Sequence, residues 1–283
     1  MPSSDSASRP IPHAVLLDMD GVLFHGDSPL PGAAELLSAL AGTPHLFLTN
    51  NPILSAEAVL AKFARIGLPL PAVEQILTSA VATASWLANE RPGFRYFAVG
   101  ADGLHQALAE VGRADSAQAD FVVVGEGAGL DYASLTIGIN LVLKGGARLV
   151  VTNPDYTVDA VVDGRHRVLP GGGALVAPFA VATGQEPVVI GKPGALLYRM
   201  ALQRLGACAA STVMLGDRPD TDIAGAARLG MWTALVRTGR FAPDADWPAS
   251  IPAPDWDCTD LAGVMRAWRR DVPGLLGEGA ESR

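Results

Sequence analysis

The chain has 283 residues, of which 49% are apolar and 18% are charged, a balance typical of a folded globular protein with one large domain or two ordinary ones. Its 21 basic and 29 acidic side chains give a formal net charge of −8 without any run of Lys or Arg, so we expect no binding to nucleic acid. No apolar stretch approaches the roughly 20 residues that a membrane helix needs, so we expect no membrane association either.

The first residues and the cysteines favour a cytoplasmic protein. Residues 1–13 are rich in Ser and Pro and lack the apolar core of a secretory signal, so they are predicted to form a flexible tail. The two cysteines, Cys208 and Cys258, are too few for a disulfide framework and have no metal-binding spacing. The sequence is also compatible with a homodimer.

Short apolar runs alternate along the chain with stretches rich in Ala and Leu, which is the pattern of repeated strand–helix units around a parallel sheet. The predicted strands, in chain order, are Ala14–Leu17, Leu46–Thr49, Tyr96–Val99, Phe121–Val124, Leu149–Thr152, Val188–Ile190, Thr212–Leu215 and Thr233–Val236. Ser55 is predicted to cap a helix that Gly67 terminates, and a second helix is predicted over Ala195–Leu205.

The strand–helix pattern of residues 80–182 is long enough to form a domain of its own. Polar residues that follow strands fall before and after this stretch, and in open parallel sheets such residues lie at the carboxyl edge where ligands bind. We therefore predict an α/β fold with a doubly wound parallel core sheet and a large inserted α/β domain. The predicted boundaries are 1–13 for the first tail, 14–79 and 183–270 for the two parts of the core, 80–182 for the insertion and 271–283 for the final tail.

The first chemical signal is a pair of carboxylates, Asp18 and Asp20, at the end of the first predicted strand. Alternation along a strand points both side chains to one side. Two carboxylates so close require either a cation or a proton on one of them, and Mg²⁺ is a suitable cation for such oxygen ligands. The alternative is a turn in which Asp20 and Gly21 supply only a tight bend.

The second signal follows the second predicted strand. Thr49, Asn50 and Asn51 precede Pro52 and offer a hydroxyl and backbone N–H groups to an anion. The alternative is that Thr49 and Asn50 only cap the turn before the proline.

The third signal is a lysine at a strand end. The chain has three Lys against eighteen Arg, and one of the three, Lys192, follows the predicted strand Val188–Ile190. Pro193 stands where a phosphate-binding P-loop requires Ser or Thr, so the segment is not a P-loop. Lys192 can still act as a point charge on a phosphoryl group or a carboxylate.

The fourth signal is an acidic loop after the strand Thr212–Leu215. Asp217 at the strand end and Asp222 at the start of the next helix are placed to complete a cation site. The alternative is that Asp222 or Thr221 is the N-cap of that helix, and we predict Thr221 as the cap.

The order of these four signals resembles the four motifs of the haloacid dehalogenase superfamily of phosphotransferases. Thr49 lies 31 residues after Asp18, Lys192 lies 143 residues after Thr49, and Asp217 follows 25 residues later. Over about Ala14–Gly239 the chain is similar to the NagD-like, type IIA or p-nitrophenyl phosphatase-like branch in the runs LLDMDGVL, LFLTNN, VTNPD, VIGKP and GDRPDTDI. That branch carries a large α/β cap domain between its second and third motifs, which matches the predicted insertion.

The resemblance implies a role for each motif residue. Asp18 would be the nucleophile that forms an aspartyl-phosphate, and Asp20 would act as general acid and base. Thr49, the Asn50 amide and Lys192 would bind the transferring phosphoryl group.

The resemblance also implies a Mg²⁺ cofactor. Its ligands would be the carboxylates of Asp18 and Asp217 and the backbone carbonyl of Asp20, with Asp222 supporting through water or from the second layer.

The implied function is a Mg²⁺-dependent phosphatase whose partner is a small phosphorylated metabolite of the nucleotide, sugar, glycolate or glycerol phosphate type. The alternatives are a phosphotransferase or mutase on the same fold, and a catalytically silent protein that binds phosphate esters. Within the cap, Asn153–Gly173 is a candidate specificity loop, and Tyr156 is predicted, with Asn51, to contact the substrate. Glu126 stands where the branch commonly has Asp.

Overall fold

The computed structural model describes residues 9–162 and 165–277. The strands are β1 Ala14–Asp18, β2 Phe24–His25, β3 Ser28–Pro29, β4 His45–Thr49, β5 Ile76–Thr78, β6 Arg95–Val99, β7 Arg113–Ala114, β8 Phe121–Val124, β9 Arg148–Val151, β10 Thr157–Val162, β11 Arg165–Pro170, β12 Val188–Val189, β13 Thr212–Gly216, β14 Trp232–Val236 and β15 Trp256–Cys258. The helices are α1 Ala33–Ala39, α2 Ala56–Arg65, α3 Ser79–Glu90, α4 Asp102–Val111, α5 Tyr132–Leu143, α6 Gly172–Thr183, α7 Ala195–Leu205, α8 Ala224–Arg228 and α9 Leu261–Asp271.

The described chain forms two compact units. The first unit contains the residues up to His25, the segment Pro29–Leu46 and the residues from Ala201 onward. The second contains Gly26–Ser28 and Phe47–Met200. Each unit alternates strands with helices, and the second interrupts the first along the chain. The predicted α/β fold class, with a second α/β unit inserted into a parallel core, is confirmed.

The first unit contains parallel strands in the order β15-β14-β13-β1. Both β1 and β13 are buried along their whole length, which explains their continuous apolar sequence. Leu17 of β1 pairs with Leu215 of β13, so the next residue of each strand, Asp18 and Gly216, lies at the same level of the sheet. The register therefore brings the residues that follow these two strands to one edge.

The second unit contains a five-stranded parallel sheet in the order β12-β9-β8-β6-β7. Val151 of β9 pairs with Val124 of β8 on one side and with Val189 of β12 on the other. The same unit contains the parallel pair β4 and β5, in which Thr49 lies opposite Thr78. Buried Val and Leu side chains of β8 and β9 pack against α5 and α6 and form the core of this unit.

The predicted helix after the second strand is confirmed, with its cap. The hydroxyl of Ser55 accepts a hydrogen bond from the backbone N–H of Ala58 at 3.3 Å, and α2 begins at the next residue after Ser55. Gly67, just beyond the helix, has a φ of 75°, a left-handed conformation that favours glycine. The predicted helix Ala195–Leu205 is confirmed as α7.

The predicted loop Asn153–Gly173 is mostly regular structure, which corrects the sequence interpretation. Strands β10 and β11 pair antiparallel within it, with Thr157 opposite Pro170 and Ala160 opposite Arg167. Helix α6 begins at Gly172. The sequence does contain the signal, because Asp163-Gly164 is a dipeptide typical of a tight hairpin turn between two strands.

Parts of both predicted tails pack against the first unit. The guanidinium of Arg9 lies 2.9 Å from a carboxylate oxygen of Asp255 and 4.1 Å from the ring centre of Trp232. At the other end Leu275 is buried and the N–H of Gly277 donates to the carbonyl of Ala39 at 2.8 Å. Across the described residues, no helix combines the length and apolar character needed to cross a membrane.

Candidate active site

Three buried carboxylates form a cluster in the first unit. Asp18, Asp217 and Asp222 each offer an oxygen atom, and these atoms all lie within 4.8 Å of one another. Their exposed fractions are only 7%, 3% and 0%. The first two come from the adjacent strand ends of β1 and β13, as the register requires, and Asp222 comes from the short π-helical turn Pro219–Ile223.

Tight backbone approaches hold this cluster together. Gly216 leaves no space for a Cβ atom, which would overlap the side chain of Asp222. A Cβ on Gly21 would lie 2.5 Å from Oδ2 of Asp217, and the φ of Gly21 is 80°. Glycine is therefore required at both positions for the carboxylates to approach the strand ends.

The segment after β14 also positions Asp217, and the sequence interpretation missed it. The N–H of Arg240 donates to Oδ2 of Asp217 at 2.9 Å, and a Cβ on Gly239 would overlap the same carboxylate. Thr238 donates from its hydroxyl to the carbonyl of Gly21 at 2.7 Å and so ties this segment to the turn after β1. The signal available in the sequence was Gly239, which follows β14, the strand that pairs with β13.

The acidic loop separates into a cluster residue and an ion pair. Oδ2 of Asp222 accepts a hydrogen bond from the N–H of Arg218 at 3.1 Å, so its carboxylate points back into the loop and does not cap the next helix. Asp220 instead pairs with the guanidinium of Arg218 at 2.7 Å. Burial raises the pKa of Asp220, but the hydrogen bond and charge of Arg218 outweigh it, so the net shift of this pKa is downward.

The predicted helix cap in this loop is wrong. Helix α8 begins at Ala224, its N-cap position is Ile223, and no side chain caps it. Thr221 lies within the π-helical turn and is buried. Ala224, Gly225 and Ala226 of α8 are buried, so packing holds this short helix.

The cluster has the chemistry of a site for a hard divalent cation. Like charges this close disfavour each other unless a cation or a proton lies among them. The donors are carboxylate oxygens only, which suit Mg²⁺ better than metals that prefer sulfur or imidazole. Asp20 is exposed and its carboxylate is not a member of the cluster. The residues present therefore fit Mg²⁺.

The second signal of the sequence lies in the second unit. Thr49 is buried at the end of β4, and its hydroxyl accepts a hydrogen bond from the N–H of Asn51 at 3.1 Å. The side-chain oxygen of Asn51 accepts from the N–H of Ile53 at 2.8 Å. These contacts form the turn before α2, so Thr49 and Asn51 shape this turn, and their predicted contacts to a ligand stay predictions.

The structure brings Asn50 and Lys192 together within the second unit. Lys192 is 3% exposed and follows β12, which pairs with β9. The side-chain oxygen of Asn50 accepts from the backbone N–H of Lys192 at 2.7 Å, and its Nδ2 donates to the carbonyl of the same residue at 2.9 Å. Lysines are rarely this buried, and a buried one is normally held among polar partners.

Three further polar residues surround Asn50, and the sequence interpretation did not assign them a role in the site. Nδ2 of Asn153 donates to the carbonyl of Asn50 and to Oε1 of Glu126, both at 2.8 Å. Nδ2 of Asn50 donates to Oδ2 of Asp155 at 2.8 Å. The pairing of Val124 with Val151 places Glu126 and Asn153 at the same level beyond their strands. Polar residues after neighbouring cap strands were the signal.

Tyr156 lies at the surface of the second unit. It is 75% exposed and directly precedes β10. Its predicted contact with a substrate stays a prediction.

Two family models match the chain. A haloacid dehalogenase-like hydrolase model matches residues 15–114, and a HAD-hydrolase-like model matches residues 189–264. Among curated proteins, the chain is 40% identical over 268 residues to dihydroxyacetone phosphatase of Corynebacterium glutamicum, and this match covers 94% of each chain.

Solved structures agree with the family models. NagD from Escherichia coli K-12 is 31% identical with a TM-score of 0.80, and the match covers 89% of this chain and 98% of that one. The glycerol phosphate phosphatase Rv1692 from Mycobacterium tuberculosis, solved in complex with magnesium, is 32% identical with a TM-score of 0.78 over 89% of this chain and 76% of that one.

The α/β fold and the buried carboxylates at parallel strand ends define a hydrolase of the haloacid dehalogenase type. More narrowly, the chain belongs to the NagD and p-nitrophenyl phosphatase family, type IIA, of those hydrolases.

Proposed function

We propose that this chain is a Mg²⁺-dependent phosphatase of small phosphate monoesters that works through an aspartyl-phosphate intermediate. The observation that carries the proposal is the buried cluster of Asp18, Asp217 and Asp222 at two parallel strand ends. In a chain of this family, such a cluster supports phosphoryl transfer to the first aspartate.

Asp18 and Asp20 divide the chemistry between them. A carboxylate oxygen of Asp18 forms a bond to phosphorus while the ester P–O bond breaks, and the electron pair leaves on the ester oxygen, which takes a proton from Asp20. Asp20 then removes a proton from water, the water oxygen attacks phosphorus, and the bond between phosphorus and Asp18 breaks to release inorganic phosphate. The exposure of Asp20 suits a group that must exchange protons, and the burial of Asp18 suits a nucleophile.

The carboxylates of Asp18, Asp217 and Asp222 and the backbone carbonyl of Asp20 would hold Mg²⁺. When bound, the ion supplies positive charge that offsets the cluster and the charge developing on the phosphoryl oxygens. Gly239 and Arg240 keep the Asp217 carboxylate in place, the first by leaving it space and the second by its N–H.

Thr49, Asn50 and Lys192 form the proposed phosphoryl-binding set. The hydroxyl of Thr49 and the ammonium group of Lys192 would bind phosphoryl oxygens, and the Asn50 contribution would be its backbone N–H. This assignment follows from the resemblance of their motifs.

The substrate is a small phosphorylated metabolite. Relatives named for dihydroxyacetone phosphate and glycerol phosphate make three-carbon phosphate esters the first compounds to test. Tyr156 and Asn51 remain the proposed contacts to the leaving group.

The decisive experiment measures phosphate release from a panel of esters with Mg²⁺ and with EDTA. The panel contains dihydroxyacetone phosphate, glycerol 3-phosphate, phosphoglycolate, sugar phosphates, nucleoside monophosphates and p-nitrophenyl phosphate. We expect Mg²⁺-dependent release by the wild type, and a loss of at least about 10³-fold in Asp18→Asn and a large loss in Asp20→Asn.

Asp220→Asn is the matched control. Asp220 lies in the same region but pairs with Arg218 outside the cluster, so this variant should keep most of its activity. Release that persists in EDTA, or in Asp18→Asn, would contradict the proposal. Release only after an alcohol acceptor is added would indicate a phosphotransferase, and no release under either condition would indicate a silent binding protein.

A further inference from the structure

The side chain of Asn50 is engaged entirely within the protein. One Nδ2 hydrogen is donated to Oδ2 of Asp155 and the other to the carbonyl of Lys192, at 2.8 and 2.9 Å. Its Oδ1 accepts the backbone N–H of Lys192 at 2.7 Å. An amide group has two N–H donors, so neither is left for a phosphate ester. The side chain of Asn50 is thus hydrogen-bonded to both the backbone N–H and the backbone carbonyl of Lys192.

The orientation of the Asn50 amide is fixed by its surroundings. A rotation by 180° would turn the amide oxygen toward the carboxylate of Asp155 and the NH₂ group toward the N–H of Lys192. Acceptor would then face acceptor and donor would face donor, so these hydrogen bonds would be lost. Gly191 allows this close fit, because a Cβ atom there would lie 2.6 Å from Oδ1 of Asn50. The residue that precedes Lys192 must therefore be glycine, because a larger residue would keep the Asn50 amide from the backbone of Lys192.

A second layer of hydrogen bonds holds the first. The N–H of Asp155 donates to Oδ1 of Asn153 at 3.1 Å, and Nδ2 of Asn153 donates both to the carbonyl of Asn50 and to Oε1 of Glu126. Glu126 is 3% exposed. The hydrogen bonds form a closed ring from Asn50 through Asp155 and Asn153 back to Asn50, and Glu126 anchors it.

We infer that Asn50, Asp155, Asn153 and Glu126 form a clamp that positions Lys192. In this amide clamp, Asn50 is a positioning residue that acts through the backbone of Lys192, and Glu126 sets the orientation of Asn153. A lysine side chain has four rotatable bonds, so fixing its backbone limits the positions that its ammonium group can reach. This inference deepens the proposed function and rests on it for the phosphoryl-binding role of Lys192.

The first test is a double-mutant cycle on phosphate release. We compare kcat/KM for Asn50→Ala, Lys192→Ala and the double variant with the wild type. If Asn50 acts through Lys192, its replacement should cost about 10–100-fold in the wild-type background and less than about threefold once Lys192 is alanine. Losses that multiply in the double variant would overturn the inference, because the two residues would then act independently.

Asn140→Ala is the control for replacing an asparagine. Its side chain is exposed on α5 and donates only to the carbonyl of Thr136 among the described contacts, at 2.8 Å. This variant should have wild-type kcat/KM. Thermal unfolding of each variant identifies any loss of the fold.

The second test reads the clamp without turnover, by hydrogen exchange at the backbone N–H of Lys192. That N–H should exchange at least about tenfold faster in Asn50→Ala than in the wild type, because its acceptor is removed. Glu126→Ala should accelerate exchange to a smaller extent, and Glu126→Gln should restore protection, since the Gln oxygen can still accept from Asn153. The two variants Glu126→Ala and Glu126→Gln keep the inference testable if Asn50→Ala does not fold.

The outcomes separate the inference from the proposed function. Unchanged exchange at Lys192 in a folded Asn50→Ala variant would overturn the clamp, whatever the activity. Faster exchange in a protein that releases no phosphate from any ester would refute the proposed function, and with it the role of the clamp in placing Lys192 for phosphoryl binding. The inference would be established if the N–H of Lys192 exchanges faster in Asn50→Ala and the kcat/KM losses of Asn50→Ala and Lys192→Ala do not multiply in the double variant.

Discussion

The acidic cluster of the first unit and the amide clamp of the second both lie where parallel strands end, but they differ in electrostatics. Both contain buried polar side chains that follow parallel strands, and the clamp adds the half-buried Asn50. The cluster gathers three like charges within 4.8 Å, whereas the clamp matches amide donors to carbonyl and carboxylate acceptors. The first arrangement fits a cation, which would offset its charges, whereas the polar groups of the second are largely paired by its own hydrogen bonds.

This difference predicts opposite responses to mutation. Removing a charge from the cluster relieves repulsion in the metal-free protein. Removing a partner from the clamp leaves a buried polar group without its hydrogen bond, which costs about 1–3 kcal/mol. Measuring stability with and without Mg²⁺ therefore distinguishes the proposed cation site from a region whose hydrogen bonds are already made within the protein.

The largest expected effect is on activity, in the cluster. Asp217→Asn should lower kcat/KM for the best ester by at least about 10²-fold, because it removes a charged oxygen from the proposed Mg²⁺ ligands. Asp220→Asn, in the same loop, should change kcat/KM little. An Asp217→Asn variant with wild-type kcat/KM at limiting Mg²⁺ would contradict the assigned ligand set.

The next effect is on stability. Mg²⁺ at about 100 times its Kd should stabilise the wild type by about 2.7 kcal/mol in denaturant unfolding. Asp222→Asn should lose most of this gain and should be at least as stable as the wild type in EDTA.

Asn153→Ala provides the contrast for the same measurement. It should destabilise the protein by about 1–3 kcal/mol with or without Mg²⁺, because Glu126 and Asn50 lose the donor that they share. An Asn153→Ala variant as stable as the wild type, or an Asp222→Asn variant with full Mg²⁺ stabilisation, would break the comparison.

A smaller effect is expected from the backbone that supports the cluster. Gly239→Ala places a Cβ against the Asp217 carboxylate and should lower kcat/KM by about tenfold, since the carboxylate must shift. Gly42→Ala is the control, because nothing lies within 4 Å of a Cβ at that position. Equal activity of the two variants would show that Asp217 tolerates displacement.

The sequence predicted the cluster better than the clamp for a physical reason. Asp18 ends β1 and Asp217 directly follows β13, both short and mainly apolar strands, so the two carboxylates meet at one edge once these strands pair. Their roles as metal ligands stay predictions. The clamp depends on polar residues that follow two cap strands, Glu126 after β8 and Asn153 after β9, and on the pairing of these strands. No local pattern states which strands are neighbours, so these contacts required the structure.

The fold shows the same limit. The predicted strands Phe121–Val124 and Thr212–Leu215 agree with β8 and β13 to within a residue, because buried parallel strands have continuous apolar sequence. The sequence of β10 and β11 predicts a loop because charged residues such as Arg165 and Arg167 interrupt the strand pattern. Helix α6 has apolar residues around its whole circumference, including the exposed Val181, and so lacks the one-sided periodicity that identifies surface helices.

The smallest expected effect is a pH-dependent stability contribution from Asp271, which lies outside both the cluster and the clamp. It is the reference for stability changes that are measured when either region is titrated with acid. The hydrogen bonds from Arg270 and Trp256 lower the pKa of Asp271 to about 2. Because the folded pKa is below the ordinary value of 3.8, Asp271 stabilises the protein above that value, and this contribution is lost as the pH falls from about 4 to 2. Asp271→Asn should therefore unfold at a slightly lower temperature than the wild type at pH 7, and the difference should vanish near pH 2. A difference that stays constant with pH would mean that the asparagine changes the packing of α9, since a charge effect must follow the titration of the carboxylate.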